Sequence, residues 1–216
     1  NRLDEGDAAR GFGHLAAVGV AFLLAVALVR ALRSRDWFAD RSEPDLMALL
    51  DLVALGTVAD VAQLKGLNRA YVAQGLKVLA RRQNVGLAAL ADVARVHAKP
   101  GAHELGFAFG PRINAGGRVG QADLGVRLLT TEDGAEAKEI ATELDRLNEE
   151  RRAIEAAVTE QALERCALSA NAPVILVAGE GWHPGVIGIV AGRIKEKMGK
   201  PAIVIALGED GVGKGS

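Results

Sequence analysis

The sequence predicts an α/β protein in which a mostly helical N-terminal part, one long helix and a C-terminal βαβ unit follow one another. Apolar residues recur at helical spacing through much of residues 14–130. From Glu132 to about Leu168 the chain has no proline, and charged residues face an apolar stripe, which is typical of a long amphipathic helix. Two short runs rich in β-branched residues, 173–178 and 201–207, flank a further helical segment and predict parallel strands.

The composition limits the classes of function. The chain has 216 residues, of which 50% are hydrophobic and 4% aromatic, so its core must be built from Ala, Val, Leu and Ile. Its 26 basic and 27 acidic residues give a net charge of −1, which excludes a strongly basic nucleic-acid footprint over the whole chain but not a local one. The single cysteine, Cys166, excludes an intramolecular disulfide and a cysteine-rich zinc site. No signal peptide is recognisable, and we expect a cytoplasmic protein.

The first predicted helix covers residues 14–34. Its uncharged run, Leu15–Val29, is shorter than the roughly 20 residues that span a bilayer, so we expect a buried helix and no membrane partner.

Residues 1–13 are predicted to form an ordered loop or a frayed edge. Because the first residue is not Met and residues 213–216 stop within a glycine-rich turn, we expect a fragment of a longer protein. If the helix at 14–34 has lost a neighbouring sheet, its apolar face should drive association.

Further helices follow in order. Residues 45–55 are predicted to form a helix, because a polar cap typical of a helix start precedes them. This helix is predicted to end at the small-residue turn Gly56–Asp60. The remaining predictions are helices at 68–82, 86–96 and 121–130, with a loop-rich stretch at 97–120 between the last two.

The long helix at 132–168 is predicted to bridge two domains over about 50 Å, although two helices with a hidden break are an alternative. Its charged face is expected to carry Glu149, Glu150, Arg151, Arg152 and Glu155. The following runs predict a buried strand, a loop at 179–185, a helix from Val186 to Met198 that ends at Gly199, and a second buried strand.

The segment Gly110–Arg118 holds three glycines, one proline, two arginines and one asparagine. Glycine and proline are poor helix and strand formers, so a shaped loop is predicted. The planar guanidinium fork of arginine suits phosphate, whereas the alternative is a surface turn with solvated arginines.

Two other segments are candidate sites. Trp182–Gly185 directly precedes a helix, whose N-terminus attracts anions, and His183 is either a phosphate donor or a structural histidine. Asp60 can ligate a hard metal ion, but one carboxylate makes no site. The four histidines are too scattered for zinc. The run Gly208–Lys214 matches the start of a P-loop, but Gly215 stands where Ser or Thr is needed.

Several segments, taken together and in order, resemble the RecJ-type single-strand DNA exonucleases of the DHH phosphoesterase superfamily. The segments that carry this resemblance are Asp51–Asp60, Phe109–Arg118, Leu147–Arg152, Gly181–Arg193 and Gly213–Ser216.

The resemblance implies the C-terminal portion of a DHH catalytic domain at 1–131, a connecting helix at 132–168 and the start of a DHH-associated α/β domain at 169–216. It implies hydrolysis of single-stranded DNA from a 5′ end with two Mn²⁺ or Mg²⁺ ions, in DNA repair and recombination. Implied partners are single-stranded DNA, a single-strand-binding protein and a recombination helicase. The strand would be held through backbone phosphates and base stacking.

The resemblance also implies roles for individual residues. Asp60 resembles a late metal-ligand aspartate and is the expected catalytic residue, with Asp51 as a second choice. Arg112 resembles the arginine that holds substrate phosphate. The residues that would shape or extend the phosphate and strand contacts are Asn114, Arg118, His183, Gly185 and Ser216.

One departure from the family pattern limits the expected activity. No Asp-His-His occurs in the sequence, so most of the family's metal ligands are missing and the chain alone is expected to be inactive. A non-catalytic nucleic-acid or nucleotide-binding module is the alternative from another class. An oligoribonuclease, a cyclic-dinucleotide phosphodiesterase or a pyrophosphatase is the alternative within the superfamily.

Overall fold

The structure is a computed structural model that describes residues 12–97, 99–166 and 172–216. Predictions for residues 1–11, 98 and 167–171 lie outside the described residues. The helices are α1 (Ala17–Arg33), α2 (Leu50–Ala59), α3 (Gly66–Leu79), α4 (Val85–Val93), α5 (Gly110–Val119), α6 (Leu124–Thr130), α7 (Gly134–Cys166) and α8 (Ile187–Met198). The strands are β1 (Ile175–Glu180), β2 (Ala202–Leu207) and β3 (Gly213–Gly215). A 3₁₀ helix, Leu46–Leu49, precedes α2, and a short α-helical turn, Ala102–Glu104, continues into a π-helical segment, Leu105–Phe109, before α5.

The chain divides into two compact units. The first contains Asn1–Pro111 and Val126–Thr142, and the second contains Arg112–Gly125 and Glu143–Ser216. Helix α7 contributes to both units and runs for 33 residues without a break, which confirms the prediction of a single long helix. The division into domains at 1–131, 132–168 and 169–216 stays a prediction.

Close helix packing in the first unit depends on small residues. The core cluster includes Phe22 and Tyr71, whose rings meet edge to face with centroids 5.4 Å apart. A Cβ atom on Gly75 of α3 would lie 2.1 Å from the carbonyl oxygen of Leu50, and one on Gly56 of α2 would lie 2.9 Å from Val18. Glycines therefore let helices approach closely, which fits a core poor in aromatic residues.

Helix α1 is only partly buried, so the prediction of a buried helix is wrong for one of its faces. Phe22 is 9% exposed, but Leu24 is 70% and Leu28 57% exposed. The apolar run is continuous in sequence, yet only one face of the helix finds a neighbour within its unit. None of the helices within the described residues is long and apolar enough to cross a membrane.

The exposed face of α1 is expected to make the isolated chain associate in solution, because contiguous exposed apolar surface favours contacts between molecules. Sedimentation velocity over a concentration series should show species larger than the monomer. The double variant Leu24→Lys, Leu28→Lys should shift the distribution towards monomer, because both side chains lie on the exposed face. A monodisperse wild-type monomer at high concentration would contradict this expectation.

The second unit contains the predicted βαβ arrangement. Strands β1 and β2 pair in parallel, with Ile175 opposite Ala202 and Leu176 opposite Ile203. The predicted burial of both strands is only half right, because Leu176 is 56% and Ile203 44% exposed on one face of the sheet. The covered face packs on α7 and α8 through a cluster of buried residues: Val158, Ala162, Cys166, Ile175, Val177, Trp182, Val186, Ile187, Val190, Ala191, Ile194, Val204 and Ala206.

Strand β3 corrects the prediction of a glycine-rich turn at 213–216. It pairs antiparallel with β2, with Ile205 opposite Gly215 and Leu207 opposite Gly213. Backbone hydrogen bonds form this pairing, and glycine has low strand propensity, so the local sequence carries no strand signal. Gly199 ends α8 as predicted, in the left-handed conformation with φ 64°.

The buried thiol of Cys166 should make the free energy of unfolding depend on pH. It is 1% exposed, and burial raises the pKa of its thiol. The thiol therefore ionises more readily in the unfolded chain, so the free energy of unfolding should fall as the pH rises above about 8.5. Denaturant titrations at pH 7, 8, 9 and 10 should show this fall, and Cys166→Ala should show a smaller one. Equal pH dependence in the two proteins would contradict the assignment.

Candidate nucleic-acid interface

The segment Gly110–Arg118 is helical, so its prediction as a loop is wrong. It forms α5. A Cβ atom on Gly116 would lie 2.8 Å from the carbonyl oxygen of Gln121, and one on Gly110 would lie 3.2 Å from the carbonyl oxygen of Leu105. These glycines serve close packing of a helix rather than a turn. Tertiary packing therefore overrides their low helix propensity, which is a weak prior.

A π-helical segment makes room for the proline in this region. The N–H of Gly110 donates to the carbonyl of Leu105, five residues earlier. Pro111 follows directly, where the regular ladder of helical hydrogen bonds is already interrupted, so its missing N–H costs little. The helix can then continue past the proline as α5.

Arg112 is held by an ion pair. Its Nε donates to Oδ1 of Asp145 on α7 at 2.7 Å, and the two side chains are 17% and 28% exposed. A partly buried charged hydrogen bond restricts the orientation of the guanidinium. Asn114, two residues further along α5, is exposed. Sequence reasoning did not identify Asp145, because nothing in the local pattern pairs it with an arginine 33 positions away.

Arg118 meets the loop before α8. Its Nη1 donates to the carbonyl of Gly185 at 3.2 Å, and the N–H of Gly185 donates to Nδ1 of His183 at 3.0 Å. A Cβ atom on Gly185 would lie 2.2 Å from the carbonyl oxygen of Arg118, so only glycine permits this approach. The structure thus brings together three residues that the sequence predicted as parts of a phosphate site.

Ser216 lies beside the first turn of α8. Its N–H and carbonyl both pair with Val204 at 3.0 Å, which extends the β2–β3 ladder by one residue. A Cβ atom on Gly188 would lie 3.0 Å from the Oγ of Ser216. The N-cap residue of α8, Val186, provides no side-chain cap. The N-terminus of this helix is therefore bordered by the His183–Gly185 loop and by a hydroxyl group, an arrangement suited to an anion.

A buried charge network joins α7 to α8, and sequence reasoning missed it. Glu155 is 3% and Arg151 8% exposed, so their assignment to the solvated face of α7 was wrong. Glu155 accepts hydrogen bonds from Arg151 and from Arg193 of α8, and Arg151 also donates to Asn148 at 3.0 Å. The sequence signal that could have revealed this network is a pair of opposite charges, Arg151 and Glu155, four residues apart within the apolar stripe of α7.

The two candidate metal ligands lie far apart. Asp51 lies in the first turn of α2 and Asp60 caps its end, so Gly56–Asp60 is the last helical turn rather than a loop. Nine positions correspond to about 14 Å along a helix, too far for two carboxylates to hold one ion. Asp51 is 3% exposed, accepts from the N–H of Leu52 at 2.7 Å, and has a pKa raised by burial, whereas Asp60 is exposed.

The described residues do not fit the metal ions that the sequence resemblance implies. Across residues 12–97, 99–166 and 172–216, no three His, Cys, Asp or Glu side chains are grouped so that they could hold a metal. Asp60 by itself remains a candidate ligand and Asp51 a second one. Both assignments stay predictions.

Comparisons with known proteins relate the chain to one group of exonucleases. No known protein-family model matches the chain. The RecJ single-stranded-DNA-specific exonuclease of Dickeya dadantii is 46% identical over 211 residues, and that of Escherichia coli is 44% identical over 211 residues. Each alignment covers 94% of this chain but 37% of the relative. The chain is homologous to the RecJ exonucleases.

Solved RecJ structures share the fold. Thermus thermophilus RecJ in complex with Mn²⁺ matches with a TM-score of 0.70 and 38% identity, over 79% of this chain and 26% of that one. An exonuclease RecJ bound to manganese matches with a TM-score of 0.69 and 37% identity, over 81% of this chain and 43% of that one. These matches confirm the predicted α/β class and the resemblance to RecJ proteins. The chain spans little more than a third of the RecJ relatives named above.

Proposed function

We propose that this chain forms the part of a 5′→3′ single-stranded-DNA exonuclease that binds the DNA backbone. The gathering of Arg118, His183, Gly185 and Ser216 around the N-terminus of α8 supports the proposal. The homologous proteins are single-stranded-DNA-specific exonucleases. The parent enzyme would act in the cytoplasm in DNA repair and recombination, with a single-strand-binding protein and a recombination helicase as partners.

The residues of this site suit phosphate rather than base recognition. The N-terminus of α8 presents the positive end of a helix dipole, and the Ser216 hydroxyl can donate to a phosphate oxygen. Arg118 and Arg112, the latter oriented by its ion pair with Asp145, are the cationic side chains of α5, and Asn114 adds an exposed amide. Such contacts bind a strand irrespective of its sequence. They also fit a protein whose net charge is −1, because only a local positive site is needed.

Hydrolysis by the parent enzyme is proposed to use Mn²⁺ or Mg²⁺, the ions in the solved RecJ structures of Thermus thermophilus. Asp60 would be one ligand and Asp51 the second candidate. Because the described residues do not fit a metal site, we propose that the isolated chain binds single-stranded DNA without cleaving it. Release of mononucleotides by the purified chain with manganese, abolished by Asp60→Ala, would contradict this part of the proposal.

Binding of a 5′-phosphorylated, fluorescein-labelled oligonucleotide tests the proposed interface. We expect the chain to bind, with affinity that falls as salt rises. Arg118→Ala should weaken binding by about tenfold, because a charged hydrogen bond that organises the loop is lost. Arg35→Ala removes an exposed arginine of the first unit and is the matched control. Equal affinity for wild-type and Arg118→Ala proteins, measured by fluorescence anisotropy, would contradict the assignment.

The alternative of a non-catalytic binding module predicts the same binding but a different parent protein. An Asp-His-His sequence upstream in the parent reading frame favours the exonuclease. A start codon immediately before Asn1 favours the binding module.

A further inference from the structure

Gly117 on α5 differs from the neighbouring glycines. Cβ atoms added to Gly116, Gly120 and Gly125 would each lie within 3.0 Å of another atom, so packing explains those three glycines. A Cβ atom on Gly117 would meet nothing within 4 Å, and the residue is exposed. Its backbone φ angle is not positive, so Gly117 does not adopt the left-handed conformation that favours glycine. Neither packing within the unit nor backbone conformation therefore requires glycine here.

Glycine inside a helix carries a cost relative to alanine, because it loses more backbone freedom on folding. At an exposed helical position with open space, alanine would stabilise the protein. A glycine that the fold itself does not require leaves room for another molecule to approach the helix backbone closely. The surroundings of Gly117 indicate which kind of molecule this is.

Gly117 lies within the polar surface of the proposed interface. Asn114 is exposed three positions earlier, on the same face of the helix, and Arg118 follows directly and contacts the loop that holds His183. We propose that Gly117 is a close-approach position for the sugar–phosphate backbone of single-stranded DNA. A methyl group at this position would hold the strand away from Asn114 and Arg118. This inference rests on the proposed function.

The test measures thermal stability and DNA affinity in the same variant. Gly117→Ala should raise Tm by about 2 °C, since alanine favours the helix. It should also weaken binding of a 5′-phosphorylated oligonucleotide by about tenfold, the effect of overpacking a close contact. The slope of log affinity against log salt should become shallower by about one, because a phosphate moves away from Arg118. A role in base stacking or in folding alone would leave that slope unchanged.

Two matched variants separate stability from binding. Gly192 on α8 also has nothing within 4 Å of an added Cβ atom, so Gly192→Ala should raise Tm to a similar extent and leave affinity unchanged. Gly116→Ala should lower Tm, because its Cβ atom would lie 2.8 Å from the carbonyl oxygen of Gln121.

The possible results distinguish this inference from the proposed function. A higher Tm for Gly117→Ala with weaker binding and a shallower salt slope supports close approach of the DNA backbone. If the wild-type chain binds DNA and Gly117→Ala binds equally well, or with the wild-type salt slope, the inference is overturned and the proposed function stands. A lower Tm for Gly117→Ala overturns the inference as well. Absence of DNA binding by the wild-type chain overturns the proposed function, and this inference with it.

Discussion

Replacement of Glu155 by alanine is expected to lower the free energy of unfolding by about 3–5 kcal/mol. The carboxylate is 3% exposed and accepts hydrogen bonds from Arg151 and Arg193. Its removal leaves the charge of Arg151, which is 8% exposed, without a counter-charge in the interior. Breaking one side of a buried ion pair is strongly destabilising because the remaining charge stays desolvated.

Urea unfolding followed by circular dichroism measures this loss. Glu150→Ala is the matched control, because Glu150 also pairs with an arginine four residues earlier on the same helix but has a side chain 47% exposed. The Glu150→Ala substitution should lower the free energy of unfolding by less than about 1 kcal/mol. A loss at Glu155 as small as that at Glu150 would show that the buried network does not contribute to stability.

Gly185→Ala is expected to abolish most DNA binding. A Cβ atom would lie 2.2 Å from the carbonyl oxygen of Arg118, so the loop or the end of α5 must move. That movement separates Arg118 from the His183 loop and displaces the loop from the N-terminus of α8. We expect affinity to fall by at least about tenfold and stability by about 1–3 kcal/mol, the usual effect of overpacking.

Anisotropy titrations and thermal melts of the same samples measure both effects. Gly134→Ala is the control, since a Cβ atom there meets nothing within 4 Å. Binding should be compared well below both melting temperatures, so that unfolding does not account for lost affinity. Wild-type affinity in a folded Gly185→Ala protein would show that the contact between Arg118 and Gly185 does not shape the site.

The secondary structure predicted from glycine was wrong at positions where close packing, rather than backbone conformation, requires glycine. Gly116 and Gly56 contributed to predictions of a loop and a turn, yet they lie within α5 and α2, where another segment of the chain approaches closely. A glycine that permits close packing and one that permits a turn look the same in sequence. At Gly199 the prediction was right, because a helix end is a local feature that glycine marks.

Periodicity and short motifs determined much of this protein from sequence alone. The single long helix and the parallel βαβ unit follow from local patterns, and short motifs carry the resemblance to the RecJ exonucleases that the comparisons confirm. The hydrophobic pattern is strong in these elements because each one buries an apolar helix stripe or an apolar strand.

Only the tertiary structure decided which polar residues meet. It pairs Arg112 with Asp145, joins Arg118 to Gly185, and buries Glu155 between two arginines. It also separates Asp51 from Asp60 along one helix. These contacts join residues distant in sequence or depend on which helix face is covered. Their energies depend on burial and direction, which a one-dimensional pattern does not contain.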